Sequence, residues 1–452
     1  MANISTFFGL NTALSGLKAS QAQLDVTAHN IANAETKGYS RQTVALHQVI
    51  GVTIPVGATW GNAGAQLGGG VDVTAYQRAR DLFADLQYRT QSTVRGETST
   101  LTSAMDSVEL AINEPGEEGI SALLGELWDA WQEVANHPED APTKSALVVN
   151  AQALVDSIKA FDSNLAAIQA NAASQYDAYT SSNGEVLANA AAIAKLNDQI
   201  KALTAAGQQP NALLDQRDEL IDRLAELGQV TITELPYGSL QIALGNVNPP
   251  LLVDDTAAWA PTAPATTLYA MPNPGGKLGA LQDISKAGGI IDNYRADLNA
   301  FVNQLVTTVN AAHGAPFFDT TGTTAATFAV DAAIAADPTT IRTTNTVPAP
   351  AGANDVALAV AALRAGTADR TYAGLVLRVG TESRDVQRRD SAAEAVLQAA
   401  SDRRTSISGV SLDEEMSNMI RFQRSYQAAA RVMSTMDDML ETLVSRTGRV
   451  GL

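Results

Sequence analysis

The fold is decided by FFGLNTALSGLKASQAQLDVTAHNI at residues 7–31 and MIRFQRSYQAAARVMSTMDDMLETL at residues 419–443. In both segments, mostly apolar residues recur at alternating steps of three and four, which is the a/d repeat of a coiled coil. The two seams are Phe7, Leu10, Leu14, Leu17, Gln21, Leu24, Ala28 and Ile31, and Met419, Phe422, Tyr426, Ala429, Met433, Met436, Leu440 and Leu443. The simplest partner for each seam is the other, so the rest of the chain forms one excursion from this pair.

One such seam alone favours an intramolecular core helix. Two matched seams at the two termini favour an assembly interface, in which a terminal rod inserts among its neighbours. The residues predicted to form this interface are the apolar members of the seams: Phe7, Leu10, Leu14, Leu17, Leu24, Ile31, Met419, Phe422, Tyr426, Met433, Met436, Leu440 and Leu443.

Composition excludes several classes of function. The net charge of −18 argues against a nucleic-acid partner, because nonspecific binding to phosphates depends on Lys and Arg. The chain has no cysteine, so it can form neither disulfides nor thiolate metal sites. Its apolar runs are shorter than the roughly 18 residues that span a bilayer, and its N-terminus lacks the basic and apolar regions of a cleaved signal peptide. We therefore expect no membrane segment and no cleaved leader.

The periodicity along the chain predicts a mainly helical protein. The first helix should end near residues 31–34, followed by a turn in which Gly38 has a positive φ and a short strand with Val44 and Leu46 on one face. The Gly-rich residues 51–70 read as a loop or linker. Further helices are predicted at about 74–112, 118–136, 142–204, 211–227, 287–312 and 388–408.

The period changes from helical to two at Gln229. Val230, Ile232 and Glu234 alternate with polar residues before a Pro236–Ser239 turn, which predicts a β-hairpin. Strand fragments and Pro-rich turns continue to about residue 280. The predicted fold class is mainly α with a β-rich insert: paired terminal coiled-coil helices, a helical-bundle middle domain and a small β outer domain. The predicted domain ranges are 1–60 with 405–452, 61–228 with 286–404, and 229–285.

Candidate catalytic residues are few. The four histidines, His29, His47, His137 and His313, show no metal-ligand spacing, so we expect no metal, no cofactor and no enzyme activity. The densest acidic cluster is Asp215, Asp218, Glu219 and Asp222, interleaved with Arg217 and Arg223. This pattern could be a cation site or an acid/base pair, but it is more typical of a solvated helix face with local ion pairs.

The last helix has a start signal of its own. Ser411 followed by Glu414 is a capping box, and Asp413, Glu414 and Glu415 complement the helix dipole.

The string LDVTAHNIANAETKGYSRQ resembles the N-terminal motif of the axial proteins of the bacterial flagellum, which comprise rod, hook and hook-associated proteins. The matching residues form a turn motif: Asn30, Ile31, Ala32, Asn33, Thr36, Gly38, Tyr39 and Arg41. The form GYSRQ with NTALSGL resembles the hook-associated members more than the hook protein. Similar stretches occur at 67–81, 213–227 and 409–433, and the ending RTGRVGL also fits.

This resemblance implies a structural subunit of a junction ring between hook and filament, at the distal end of the hook. The alternative is another axial component, a hook or distal rod protein. The implied partners are further copies of the chain, the hook protein, a second hook–filament junction protein, and an export chaperone on the C-terminal helix. The implied location is extracellular, after export through the flagellar type III apparatus without cleavage.

Overall fold

The structure is a computed structural model that describes residues 8–54, 65–116, 118–246, 251–258, 274–346 and 350–447. Predictions at Phe7 and the side chain of Leu443 lie outside the described part.

The chain begins with a helix and a β-ribbon. After α1 (Phe8–Ala32) and a turn, four strands form two antiparallel pairs, β1 with β4 and β2 with β3. The strands are β1 (Gln42–Gln48), β2 (Val52–Ile54), β3 (Ala65–Leu67) and β4 (Val71–Arg78). The ribbon packs on α1 through β1 and β4.

The helices between the ribbon and the last helix form the body. They are α2 (Leu82–Ile112), α3 (Ile120–Asn136), α4 (Ala141–Thr180), α5 (Glu185–Ala205), α6 (Asn211–Leu227), α7 (Gly276–Ser285), α8 (Ile290–His313), α9 (Ala332–Ala336), α10 (Asp355–Ala361) and α11 (Thr367–Ser408). Helix α2 lies against α11, α7 and α6, and α3 packs on α4. The core includes Trp128 and Trp131, which are 1% and 0% exposed.

A small antiparallel sheet is inserted between α6 and α7. Its strands, in spatial order, are β5 (Val230–Glu234), β6 (Leu240–Leu244), β7 (Leu251–Asp254) and β8 (Ala257–Ala258). The register of β5 and β6 pairs Val230 with Leu244 and Glu234 with Leu240, which confirms the predicted hairpin. Asn197 on α5 fixes the sheet to the body by donating to the carbonyls of Leu240 and Asp255.

The final helix, α12 (Leu412–Thr447), packs along α1. Met436 lies against Gly9, and Glu415 contacts Asn30, so the two helices run antiparallel. Gly9 and Asn30 are 21 positions apart on α1, as are Glu415 and Met436 on α12. The register of the two helices is therefore constant between these contacts. We call this pair the rod. The predicted fold class, with paired terminal helices, a helical middle and a small β region, is confirmed.

Three element predictions near the N-terminal half of the chain were wrong. The helix predicted from residue 74 begins at Leu82, because Val71, Val73 and Ala75 alternate with polar residues and pair with β1, and Asp81 caps α2. Residues 51–70 include β2 and β3 as well as loop. The extra residue Thr74 in β4 shifts the register opposite Ala45 and Leu46 of β1, and Val44 is half-buried whereas Leu46 is exposed.

Three later boundaries also differ from the prediction. The helix predicted over about 142–204 is divided into α4 and α5 by a turn at residues 181–184. Residues 276–285, assigned by sequence to the β-rich insert, form α7, whose Leu278, Leu281 and Ile284 are buried in the body. Helix α11 begins at Thr367 rather than 388. Before residue 388 its buried face contains Tyr372, Leu375, Val379 and Val386 at helical spacing, so the sequence did contain a local signal for this part of the helix. The domain ranges themselves remain a prediction.

We predict that the body folds without the rod and ribbon. A chain of residues 81–408 retains Asp81 and helices α2 to α11, whose large side chains bury one another. Thermal melting of this chain with Trp259→Phe, followed by the fluorescence of Trp128 and Trp131, should show one cooperative transition. A broad transition, with both tryptophans already solvent-exposed at low temperature, would show that the body depends on the rod.

Candidate assembly interface

The seam residues lie where the rod helices meet. In α12, Met419, Phe422, Tyr426, Met433, Met436 and Leu440 are half-buried, and most residues between them are exposed. In α1, Leu10, Leu14, Leu17, Leu24 and Ile31 are half-buried, whereas Gln21 and Ala28 are exposed. The structure therefore brings the described seam residues together within one chain, and their role between subunits remains a prediction.

The turn motif divides into a local part and a connecting part. In the local part, Thr36 Oγ1 donates to Asn33 Oδ1 at 3.3 Å, and Asn33 Nδ2 donates to the His29 carbonyl at 3.0 Å. Gly38 has φ +80°, which confirms the predicted positive φ. These contacts close the end of α1 and turn the chain toward the body.

In the connecting part, three consecutive residues bind three different elements. The Tyr39 hydroxyl donates to Asn30 Oδ1 at 2.6 Å, which ties the turn back to α1. Ser40 is buried and donates from Oγ to Asp215 Oδ1 on α6 at 2.7 Å. Arg41 Nε donates to Glu415 Oε1 on α12 at 2.8 Å. The GYSRQ sequence thus fastens both rod helices to the body.

Glu415 is the central acceptor on the rod side. Its side chain is 2% exposed, and its second oxygen accepts from Asn30 Nδ2 at 3.2 Å. Asn30 in turn bonds the backbone of Gln42 in both directions, at 2.9 Å each. Burial, together with the charges of Asp215 and Glu415, raises the pKa of Tyr39 to about 12, so this hydroxyl stays protonated and donating at neutral pH.

Sequence analysis did not single out Glu415 for this role. The predicted capping box begins α12, with the Glu414 amide 3.5 Å from Ser411 Oγ, but the Glu414 carboxylate pairs with Arg41 Nη1 at 3.0 Å. A usable signal was present, because Glu415 lies four residues before Met419 and so continues the heptad seam. A charged residue at a seam position calls for a buried partner.

A second group of charges joins the body to the turn. It consists of four arginines and four aspartates, and we call it the ion cluster: Arg78, Arg80, Arg89, Arg404, Asp85, Asp215, Asp218 and Asp222. The cluster joins β4, α2, α6 and α11. Arg78 Nη1 bridges Asp215 and Asp218 at 2.8 Å each, and Arg404 bridges Asp85 at 3.0 Å and Asp222 at 2.6 Å.

The interpretation of this acidic helix face as solvated with local pairs was wrong for Asp215, Asp218 and Asp222. Their partners come from distant segments, and only Glu219 makes the local i,i+4 pair, with Arg223 at 2.9 Å. Burial alone would raise the pKa of Asp218, but the guanidiniums of Arg80, Arg78 and Arg89 outweigh it and hold that pKa below its usual value. Asp218 therefore stays ionised.

Arg217 takes no part in the ion cluster. It is buried and donates to Asn197 Oδ1 at 2.9 Å and to the Gly238 carbonyl at 2.7 Å, which links α6 to the hairpin turn. Burial lowers its pKa to about 10, so it remains charged at neutral pH.

Within the described part of the chain, no group of three or more His, Asp or Glu side chains is arranged to hold a metal ion. His313, the one buried histidine among the described residues, is a structural residue of the core. Its Nδ1 lies 2.8 Å from the Ala315 carbonyl, and its Nε2 accepts from the Arg342 amide at 3.1 Å.

Comparison with known proteins shows what this chain is similar to. Residues 105–328 match the model of the flagellar hook-associated protein FlgK helical domain. Flagellar hook-associated protein 1 of Bacillus subtilis is 29% identical over 505 aligned positions, covering 98% of this chain and 99% of the relative. The chain is a homologue of flagellar hook-associated protein 1. These matches favour the hook-associated protein over the hook and distal rod proteins.

The ends of the chain match broader families. Residues 10–39 match the flagella basal body rod protein model, and residues 403–446 match the flagellar basal body rod FlgEFG protein C-terminal model. These ranges contain α1 with most of the turn motif, and nearly all of α12. Helices α1 and α12 therefore lie in the parts of this chain that are similar to flagellar basal body rod proteins.

Other similar proteins align with only part of this chain. The hook-associated protein 1 of Salmonella typhimurium is 32% identical over 241 residues, which cover 52% of this chain and 41% of that relative. The solved flagellar hook junction protein FlgK from Burkholderia pseudomallei aligns with TM-score 0.44 and 23% identity, over 52% of this chain and 45% of that one.

Among the described helices, none is both long enough and apolar enough to cross a bilayer.

We predict that Glu415→Gln weakens the rod. The amide keeps the size of the side chain but removes the charge that Arg41 neutralises, so about 1.5–3 kcal/mol of local stability should be lost. Amide hydrogen exchange across Phe8–Ala32 and Leu412–Thr447 would measure this loss. Glu414→Gln is the matched control, because its side chain is 63% exposed and should change exchange little. Equal effects of the two variants would contradict the assignment of Glu415.

We predict that Gly38→Val disturbs the joint between rod and body. The added Cβ would meet only Glu219 atoms at ordinary contact distances, so the cost arises from φ +80° and should be about 1–3 kcal/mol. Swimming should decline while soluble expression persists. Gly16→Ala on α1, where a Cβ meets nothing within 4 Å, is the control and should leave swimming intact. Normal swimming of the Gly38 variant would remove the special role of this turn.

Proposed function

We propose that this chain is a structural subunit of the hook–filament junction, where copies form a ring at the distal end of the hook. The observation that carries this proposal is the exposed apolar surface of α12. Leu412, Met416, Ile420, Val432, Met439 and Val444 are between 47% and 75% exposed, on flanks that α1 does not cover. Such flanks on a helix that already has a partner favour contact with further subunits.

The joint supports the same proposal. A subunit that adds to a ring needs a fixed angle between the part that inserts and the part that remains outside. The turn residues Tyr39, Ser40 and Arg41 fix this angle through bonds to α1, α6 and α12. In the ring, the rod helices would form the inner wall of the tube, and the β5–β8 sheet would point outward.

The proposed partners follow from this position. One face of the ring contacts the hook protein and the other face contacts the second hook–filament junction protein. Before assembly, an export chaperone holds α12, whose apolar flanks need cover in the free subunit. The chain then leaves the cell through the flagellar type III apparatus without cleavage. Its contribution is structural, and the proposal includes no catalytic step.

We predict that charge on the exposed flanks of α12 blocks junction assembly. In a strain that lacks its own junction protein, the wild-type chain should restore swimming and filaments. Ile420→Glu with Val432→Glu should not, because a carboxylate buried between subunits without a partner is strongly unfavourable. Ser425→Glu with Gln427→Glu is the control: it adds the same charge at exposed polar positions of α12 and should restore swimming.

Electron microscopy of labelled chains would distinguish the junction from the alternative. Label confined to the distal tip of the hook supports the proposal. Label along the whole hook or the flagellar rod would show instead that the chain is another axial component, a hook or distal rod protein. Full swimming of the Ile420/Val432 variant would show that the exposed flanks of α12 are not needed for assembly.

A further inference from the structure

The methionines of this chain are concentrated on one helix. Five of the eight lie on α12, namely Met416, Met419, Met433, Met436 and Met439, and the chain contains no cysteine. Its thioethers are therefore its only oxidisable sulfur atoms. Oxidation to the sulfoxide converts a flexible apolar side chain into a polar one, and this can disrupt a packed interface.

The methionines of α12 fall into two classes by position. Met419, Met433 and Met436 are half-buried on the face that packs against α1. Met416 and Met439 lie outside that face and are 58% and 64% exposed. Met105 on α2 is 1% exposed in the body and provides an internal reference for a protected thioether.

Met436 packs directly on the backbone of α1. A Cβ atom placed on Gly9 would lie 2.6 Å from Met436 Cε and 3.1 Å from its Sδ. The thioether thus occupies the space that any larger residue at position 9 would need. Oxidation would add a polar oxygen to a sulfur that packs against the α1 backbone, and this weakens the contact between the two helices.

The two ends of the rod are held differently. The end that contains Asn30 and Glu415 is fixed by the buried hydrogen bonds and the Arg41 ion pair. Near Gly9, Met436 packs on α1, the seam residues Leu10, Leu14 and Met433 are half-buried, and Ser15 accepts from the Val71 amide of the ribbon at 3.2 Å. Damage to the packing at this end is therefore not offset by the polar contacts at the other.

We propose that Met433 and Met436 form an oxidation site for small peroxides, and that their sulfoxidation opens the Gly9 end of the rod in the free chain. The thioether sulfur attacks one oxygen of hydrogen peroxide, the O–O bond breaks and an S–O bond forms. Sulfur loses two electrons, the peroxide gains them, and the second oxygen leaves as water after taking the proton of the transferred oxygen. This site does not depend on the proposed function.

The experiment treats the full chain with hydrogen peroxide and follows each methionine by peptide mass spectrometry, together with amide hydrogen exchange. Met416 and Met439 should oxidise first, Met433 and Met436 next, and Met105 last. Protection across residues 8–17 should fall about tenfold as Met433 and Met436 are oxidised, and not in the earlier phase.

Two variants and one reversal make the test decisive. Met433→Leu with Met436→Leu keeps the apolar contact and should retain protection under peroxide. Met416→Leu with Met439→Leu is the matched control and should lose protection as the wild type does. If the seam variant fails to fold, treatment of the oxidised wild type with both methionine sulfoxide reductases should restore its protection.

Three results would overturn the proposal. The first is equal loss of protection in the seam variant and the wild type, and the second is unchanged protection after Met433 and Met436 are oxidised. The third is an absence of protection before peroxide is added, since there would then be no closed rod to open.

Discussion

The buried carboxylate of Glu415 is the interaction on which the arrangement of this molecule depends. It accepts from Asn30 on α1 and from Arg41 in the turn, so that one side chain holds the beginning and the end of the chain together. A buried charge is tolerated only when it is paired and hydrogen-bonded. The same requirement that makes Glu415 costly without its partners also makes the antiparallel register specific, because a slip of either helix would leave the charge unpaired.

The ion cluster extends this logic from the rod to the body. Four arginines and four aspartates balance one another, and helix α6 contributes three of the acids. Ser40 reaches Asp215, so the turn and the cluster share one carboxylate. Because Arg78, Arg89 and Arg404 come from three different elements, loss of any one leaves an aspartate without one of its bridges. Such a network contributes more to a single defined geometry than to net stability.

The sequence predicts those features that depend on neighbours along the chain. Heptad spacing located the rod helices, period two located the β5–β6 hairpin, and Gly38 located the turn, because each pattern reflects local geometry. The main failure concerns contacts between residues that are far apart in the sequence. The partners of Asp218 lie in β4, α2 and the residues between them, and no rule based on i,i+4 spacing can find them. The late start predicted for α11 is a different case, because Tyr372, Leu375, Val379 and Val386 do show helical spacing along the chain.

The same distinction explains why the candidate site was only partly foreseen. The turn motif named Asn30, Tyr39 and Arg41, but its partner Glu415 was interpreted through the start of its own helix. Its position in the seam was the available clue. Asp215 had no comparable clue, because its acceptor role depends on Ser40, which is 175 residues away in sequence.

The pairing of the two ends also constrains the order in which the molecule can fold. Asn30 and Glu415 are separated by 385 positions, so α1 must wait for its partner until almost the whole chain has been synthesised. Closing so long a loop is entropically unfavourable until the intervening body has become compact and brought the ends near each other. We therefore expect the rod to form late in folding, and a nascent chain on the ribosome carries an N-terminal segment without its α12 partner for most of its synthesis.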